Sequence, residues 1–192
     1  TAENGDIYTG GQFLGTADFD PGAASENISA NGGSYLFIQK LTSNGDYLWA
    51  HGFGDPNAGT SIVDELSVDA WGNVYAIGDG QGTFDVDPGA NTTLWSSNGG
   101  SDGFLAQYSS QGEYLWSTNI GSTSFDGANS IAIDSEQYLY CTGSFQDTTD
   151  FDPSSGSFTM TPDHSVDSYI LKLKPLYASN HEYNGESAEL SI

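Results

Sequence analysis

Apolar and polar residues alternate along many short segments of this chain. In "ELSVD" (65–69) and "SIAID" (130–134), every second position is apolar. This period of two predicts strands with one buried face, and turns such as "AWGN" (70–73) are typical of the links between them. We find no convincing segment with the spacing of an amphipathic helix. The pattern therefore predicts an all-β fold.

The pattern occurs three times. An Asp-x-Asp element begins at Asp18, again 67 residues later at Asp85, and again 65 residues later at Asp150. Other segments keep this spacing, among them "GDIYTGG", "GNVYAIG" and "EQYLYCTG". Self-similarity at a fixed period indicates a repeat architecture. We place the units at 1–61, which contains only strands two to four of a blade, 62–127 and 128–188, and residues 189–192 at the first strand of a further unit.

Each unit of about 66 residues reads as four strands. Four antiparallel strands joined by tight turns are typical of a β-propeller blade. The residues between the second and third strands are predicted to form an extended hairpin that carries the sequence Asp-x-Asp-Pro. In the third unit, "PLYASNHEYNGESAE" (175–189) replaces the "YLW" segment of the other units, so its fourth strand is degenerate.

The segments "GNVYAIG", "DVDPG" and "GSDGFLAQYSSQGEYLW" carry a family resemblance. They resemble the SBBP-type β-propeller repeat of secreted bacterial and archaeal surface proteins, and the resemblance covers nearly the whole chain. It implies a propeller, export to the cell surface or the exterior, and frequent membership in a large multidomain surface protein. It implies no enzyme activity.

The charge of the chain is strongly unbalanced. It has 26 Asp and Glu residues against 3 lysines, Lys40, Lys172 and Lys174, which gives a net charge of -23. Such a surface repels nucleic acid and anionic membranes, so we expect neither as a partner. No apolar run reaches the ~18 residues that a membrane span needs. The acidic surface suits divalent cations and a calcium-rich exterior; equally, it keeps an exposed protein soluble.

The Asp-x-Asp pairs are the candidate metal site. Residues i and i+2 of an extended chain face the same side, and two parallel carboxylates repel unless a cation or hydrogen-bond donors lie between them. Calcium takes carboxylate and carbonyl oxygens of this kind. The alternative is that the aspartates cap backbone N–H groups in turns. The candidate ligands are Asp18, Asp20, Asp85, Asp87, Asp150 and Asp152.

Other residues receive structural interpretations. We expect Asp69 and Asp134, each at a strand end, to cap turns, and the single cysteine, Cys141, to be a small buried residue. Trp49 and Trp116 occupy the same repeat position and are expected in the core, whereas Trp71 and Trp95 are the better candidates for an exposed contact with a glycan. Nucleophile, zinc and P-loop signatures are missing, which favours a protein without catalytic activity.

These observations predict a non-enzymatic extracellular structural or adhesive repeat module, stabilised by calcium. Three blades are fewer than the four to eight of closed propellers. We therefore expect head-to-tail filaments in which Glu189–Ile192 adds a strand to Asp6–Gly11 of the next copy. The alternatives are that the chain is an excerpt of a longer propeller, and that it is a glycan- or protein-binding segment of a larger surface protein.

Overall fold

The fold is all-β, as the residue pattern predicts. A computed structural model describes residues 2, 4–55, 57 and 61–174, and the backbone of 189–190. Within these residues there are seventeen strands and no helix, and so no helix long and apolar enough to cross a membrane. The first nine strands are β1 (Ile7–Phe13), β2 (Thr16–Asp18), β3 (Asn27–Ser29), β4 (Tyr35–Leu41), β5 (Tyr47–Phe53), β6 (Ile62–Val68), β7 (Val74–Gly80), β8 (Thr83–Asp85) and β9 (Leu94–Ser96). The others are β10 (Asp102–Tyr108), β11 (Tyr114–Ile120), β12 (Gly127–Ile133), β13 (Leu139–Phe145), β14 (Thr149–Asp150), β15 (Thr159–Met160), β16 (Asp167–Lys174) and β17 (Glu189–Leu190).

The longer strands form three antiparallel sheets that follow one another along the chain. Sheet 1 has the order β1-β4-β5, sheet 2 the order β6-β7-β10-β11, and sheet 3 the order β12-β13-β16-β17. The register repeats with the sequence, because Ile7 pairs with Leu41, Val74 with Tyr108, and Leu139 with Leu173. The counterparts of β1 are β7 in sheet 2 and β13 in sheet 3. Each of these has a further edge strand beside it, β6 in sheet 2 and β12 in sheet 3, whereas β1 is itself the edge strand of sheet 1.

The end of the chain differs from the sequence-based assignment. Glu189 and Leu190 pair with Lys174 and Leu173 of β16, in the position of a fourth strand of sheet 3. We had assigned 189–192 to the first strand of a further unit. The pairing gives part of the outer edge of β16 a hydrogen-bonding neighbour within the same chain, which is favourable because exposed strand edges are sticky. The predicted degenerate segment 175–188, and residues 191–192, lie outside the described residues.

The three sheets stack face to face, and sheet 2 lies in the middle. Strand β6 lies against β1 and β4 of sheet 1, while β12 lies against β6, β7 and β10 of sheet 2. One core cluster joins sheets 1 and 2, and a second joins sheets 2 and 3. All seven residues of β10 are buried, because its alternate side chains enter the two different clusters. Sheet 2 is therefore apolar on both faces.

Each Asp-x-Asp-Pro element lies at the tip of a hairpin, but the hairpin strands are only two or three residues long, shorter than the extended hairpin that the sequence predicts. The hairpins are formed by β2 with β3, β8 with β9, and β14 with β15. The residue between the two aspartates is buried in all three units: Phe19, Val86 and Phe151. Edge-to-face contacts with Phe13 and Phe145 anchor the first and third of these rings. The apolar middle residue thus fastens each hairpin to its own sheet and leaves the aspartates at the surface.

Stacking of the sheets makes a prediction about stability. Leu105 of sheet 2 is fully buried against sheet 3, whereas Ile170, at the same repeat position in sheet 3, is 78% exposed. We expect Leu105→Ala to lower the free energy of unfolding by about 2–5 kcal/mol, since it leaves a cavity. The matched control Ile170→Ala should cost well under about 1 kcal/mol in the monomer. Denaturant titration measures both, and equal losses would contradict the stacked arrangement.

Candidate functional site: the aspartate corners

The corner of the second unit shows how the Asp-x-Asp pair is used. Oδ1 of Asp85 accepts hydrogen bonds from the backbone N–H of Asp87 at 3.0 Å and of Thr93 at 2.8 Å. Oδ1 of Asp87 accepts the N–H of Gly89 at 2.8 Å. The first carboxylate therefore joins the two arms of the hairpin, and the second closes the turn that Pro88 begins.

The same three bonds occur in the other two units. In the first unit, the N–H groups of Asp20 and Glu26 donate to Asp18 at 3.0 and 2.9 Å, and that of Gly22 to Asp20 at 2.6 Å. In the third unit, the N–H groups of Asp152 and Phe158 donate to Asp150 at 3.0 and 2.8 Å, and that of Ser154 to Asp152 at 2.9 Å. All six predicted site residues thus act as caps of backbone N–H groups.

Local sequence explains why the corner folds this way. A side chain in place of Gly89 would put its Cβ 2.9 Å from Oδ1 of Asp87, and the same holds for Gly22 and Asp20. Glycine lets the capping oxygen approach the backbone closely. Ser154 replaces this glycine in the third unit, yet its N–H still donates to Asp152. The departure of the third unit from the repeat therefore leaves the cap in place.

In the first and third corners, backbone N–H groups favour the ionised form of the first carboxylate. The N–H of Glu26, and then that of Asp20, hold the pKa of Asp18 below its ordinary value of 3.8. Phe158 and Asp152 act on the pKa of Asp150 in the same way. Within the described ranges, the structure brings together no group of three or more His, Cys, Asp or Glu side chains that could hold a metal ion. The capping role is a feature of the structure, while calcium binding stays a prediction.

The predicted caps of the strand-linking turns are confirmed. Oδ1 of Asp69 accepts the N–H groups of Trp71 and Asn73 at 2.9 and 2.8 Å. Asp134 makes the equivalent bonds in the third unit, both at 2.9 Å. Gly72 supplies the positive φ of +85° that this turn requires, and Gln137 adopts +68° at the same repeat position. The capped turn is thus kept even where glycine is lost.

A cleft of about 710 Å³ lies where sheets 1 and 2 meet at their turns. Within it, Nζ of Lys40 lies 3.1 Å from Oδ2 of Asp6 and donates to the carbonyl oxygen of Ser110 at 3.0 Å. The ammonium group of Lys40 holds the pKa of Asp6 below its ordinary value. The positive charge of Lys40 is therefore already paired with Asp6 inside the cleft. Side chains of Leu48, Trp49 and Trp71 add apolar surface to the lining.

The structure confirms some of the predictions for the tryptophans and the cysteine and shows others to be wrong. Trp71 is 37% exposed and Trp116 is buried, as predicted, while Trp49 is only partly buried and lines the cleft. Trp95 was expected at the surface but is 3% exposed, because on β9 it alternates with the exposed Leu94 and Ser96. Cys141 is buried and free, and burial raises the pKa of its thiol to about 12, which agrees with a packing role.

Asp102, which the sequence suggests as a further oxygen donor facing the Asp-x-Asp pair, is a buried acid. It is fully buried, and its Oδ2 accepts the N–H of Asn98 at 2.6 Å and the side-chain amide of Asn119 at 3.0 Å. Its Oδ1 has no hydrogen-bond partner. Burial raises the pKa of Asp102, and the charges of Asp126 and Asp79 raise it further. Its position directly after a glycine-rich polar run gives no sign of this burial in the sequence.

Comparisons with known proteins add no family. A scan against protein-family models gives no match, and a search of curated proteins gives none either. The functional conclusion therefore depends on the repeat pattern and on the geometry of the described residues.

Substitutions at Asp85 separate capping from calcium binding. Asp85→Asn keeps an acceptor oxygen, so capping predicts nearly unchanged stability, whereas Asp85→Ala should lose about 1–3 kcal/mol because two N–H groups lose their acceptor. Under capping alone, this ranking is the same with calcium and with a chelator. Calcium binding instead predicts that each of the three corners adds about 2.7 kcal/mol at a hundredfold excess over Kd and that both variants lose the share of the second corner. Thermal and urea melts distinguish the two outcomes.

Because the pKa of Asp102 is raised, we expect the difference in stability between the unsubstituted chain and Asp102→Asn to depend on pH. Because its folded-state pKa lies above the ordinary value of 3.8, its contribution to stability is full below that pH and is lost as the pH rises through the raised pKa. Asparagine does not titrate, so Asp102→Asn should gain stability relative to the unsubstituted chain over this pH range. Urea titrations at a series of pH values measure the gap. Asp167→Asn, at the same repeat position but partly exposed, is the control; a gap at Asp102 that does not change with pH would refute the prediction.

Proposed function

We propose that this protein is a non-enzymatic, exported structural or adhesive repeat module built from propeller-type blades. The observation that carries the proposal is the repeated stacking of three sheets with one register, each with its own capped hairpin. Such a stack presents long, regular surfaces whose turns are fixed by side-chain caps. The resemblance to secreted surface repeats supports the extracellular location.

The blade interpretation draws on strand order. In sheets 2 and 3 the four strands follow one another in sequence order, apart from the inserted hairpin. Each of these sheets packs face to face on the sheet that precedes it in the chain. A propeller blade has this order, and neighbouring blades pack through their faces. Sheet 1 has the same register but lacks the strand that β6 and β12 provide in the other sheets. Among the described residues, no strand pairs with the outer edge of β1.

Self-association at this edge is part of the proposal. An added strand along Asp6–Gly11 would complete sheet 1, as expected from strand addition. The predicted donor is Glu189–Ile192 of another copy. Within one chain, Glu189 and Leu190 of this segment pair with β16. Exchange therefore requires these few pairs to open, which is a small barrier for a two-residue strand. Calcium at the aspartate corners would stiffen the exported module.

Deletion of residues 189–192 tests the strand exchange. We expect the intact chain to form elongated assemblies, visible by electron microscopy and by sedimentation, and the deletion to leave predominantly monomers because the donor strand is gone. The control is Leu94→Ala, which changes an exposed residue of the β8–β9 hairpin. An intact chain that stays monomeric at high concentration, with calcium present, would contradict self-association.

A second candidate function is glycan binding in the cleft between sheets 1 and 2. Trp71 favours it, because the other copies of the turn have the polar residues Asn4 and Glu136 at this position. An aromatic face suits the C–H face of a sugar, and Asp6, Asn4 and Gln111 in the cleft lining supply polar groups. The paired charge of Lys40 and the acidic surroundings disfavour anionic sugars.

Binding to an array of neutral glycans tests this candidate. We expect Trp71→Ala to abolish any signal and Trp71→Phe to retain most of it, since the aromatic face remains. Because most of the Trp71 side chain is buried, circular dichroism must first show that both variants are folded at the temperature of the binding assay. Equal glycan binding by the alanine variant would remove the cleft as the site.

A further inference from the structure

Every sheet of this protein has two faces of different composition. We call the front face the side that contains Val74, Phe104 and Tyr108 in sheet 2, and the back face the side that contains Tyr75, Ile77 and Leu105. The front residues of sheet 2 enter the cluster shared with sheet 1, and its back residues enter the cluster shared with sheet 3. Each internal contact therefore joins the back of one sheet to the front of the next.

The repeat identifies the same faces in sheets 1 and 3. The front face of sheet 3, which includes Leu139, Tyr169 and Leu173, is buried against sheet 2. The back face of sheet 1, which includes Tyr8 and Ile38, packs in the cluster with sheet 2. Two faces are left over: the front of sheet 1 and the back of sheet 3.

The back face of sheet 3 exposes apolar surface. Ile170 is 78% exposed, whereas Leu105, its counterpart in sheet 2, is fully buried. Tyr140 and Thr142, the counterparts of Tyr75 and Ile77, are partly exposed. Because neighbouring repeats contact each other through equivalent faces, the exposure of Ile170 at a position that is buried in sheet 2 identifies this face as the candidate surface for a further sheet.

The front face of sheet 1 is complementary in kind. Ile7, Phe37 and Leu41 are partly exposed there, although Val74, Phe104 and Tyr108, their counterparts in sheet 2, are fully buried. Thr9 and Gln39, which bond to each other at 3.1 Å, are the polar residues at the centre of this face. In both internal interfaces, a front face of this kind packs against the back face of the neighbouring sheet.

Charge also favours this pairing. Two of the three lysines in a chain of net charge -23 are on β16: Lys172 is on the back face, and Lys174 is the last residue of the strand. Lys40, the counterpart of Lys172, donates to the carbonyl oxygen of Ser110, in a turn of the sheet stacked on it. Ser43 occupies the position of Ser110 in sheet 1. By analogy with the bond from Lys40 to Ser110, Lys172 would donate to the carbonyl oxygen of Ser43 in a second copy.

We propose that the back face of sheet 3 binds the front face of sheet 1 of a second copy of this chain, with Lys172 donating to the Ser43 carbonyl oxygen of that copy. The inference rests on the proposed structural function and adds a face-to-face contact to its strand exchange. Since the two faces differ, the contact is heterologous: each copy keeps one free front and one free back, and the assembly grows head to tail.

Single-face variants test the contact by sedimentation velocity near physiological salt. Ile170→Glu places a carboxylate on the back face, and Thr9→Glu places one on the front face. We expect each to weaken association roughly thirtyfold or more, as loss of an interface hot spot does. Mixed together, the two variants should form a 1:1 dimer and nothing larger, because each retains the face that the other lacks. Leu94→Glu, on the exposed hairpin position, is the control and should assemble as the intact chain does.

The outcomes separate this inference from the strand exchange. Circular dichroism first establishes that each variant is folded, and Lys172→Glu serves as a second back-face variant. Assembly lost in Ile170→Glu and recovered as a dimer in the mixture supports face stacking. Assembly that survives both back-face variants but is lost on deletion of 189–192 overturns the face contact and leaves the proposed function standing. A monomeric intact chain overturns both forms of self-association.

Discussion

The burial of both faces of sheet 2 is the constraint on which the rest of the structure depends. An antiparallel sheet with one apolar face needs one neighbour, whereas sheet 2, with Val74 and Phe104 on one side and Tyr75 and Leu105 on the other, needs two. The chain supplies them as copies of the same unit. Because the units share one register, the two interfaces are built from equivalent positions. Stability is thus a property of contacts between neighbours, as in other repeat proteins.

Aspartate has a consistent structural task in this acidic chain. At the hairpin tips, a carboxylate accepts the N–H two residues on and another N–H eight residues on, as Asp85 does with Asp87 and Thr93. In the strand-linking turns, Asp69 accepts N–H groups two and four residues on. These bonds replace the ladder bonds that a strand loses where it turns. Much of the negative charge therefore fixes turns, and it needs no external ligand for that purpose.

Sequence patterns predicted the parts of the fold that depend on local alternation. Period-two segments and the recurrence of Asp18 at Asp85 and Asp150 predicted the strands, the repeats and the hairpins. They could not separate capping from calcium binding, because both require carboxylates at the same spacing, and only the distance from Asp85 to the N–H of Thr93 shows the cap. The end of the chain was misassigned because "ELSI" matches "ELSV", although the open edge of β16 decides where Glu189 and Leu190 pair. Burial of Trp95 depends on which side of β9 faces the sheet. In a three-residue strand, the alternation of side chains does not show whether Trp95 or its neighbours Leu94 and Ser96 point inward.

Charge and burial act on assembly over different ranges. A net charge of -23 repels a second copy at long range, but at physiological ionic strength this repulsion is screened over about 8 Å. Apolar contact between faces acts at van der Waals distance and is not screened. The lysines that are available to offset the repulsion lie on or beside the face of sheet 3 that exposes Ile170, while Lys40 is paired with Asp6 inside the cleft. Two of the three lysines are therefore on the strand that also exposes Ile170, and low salt should oppose assembly even though the contact itself is mainly apolar.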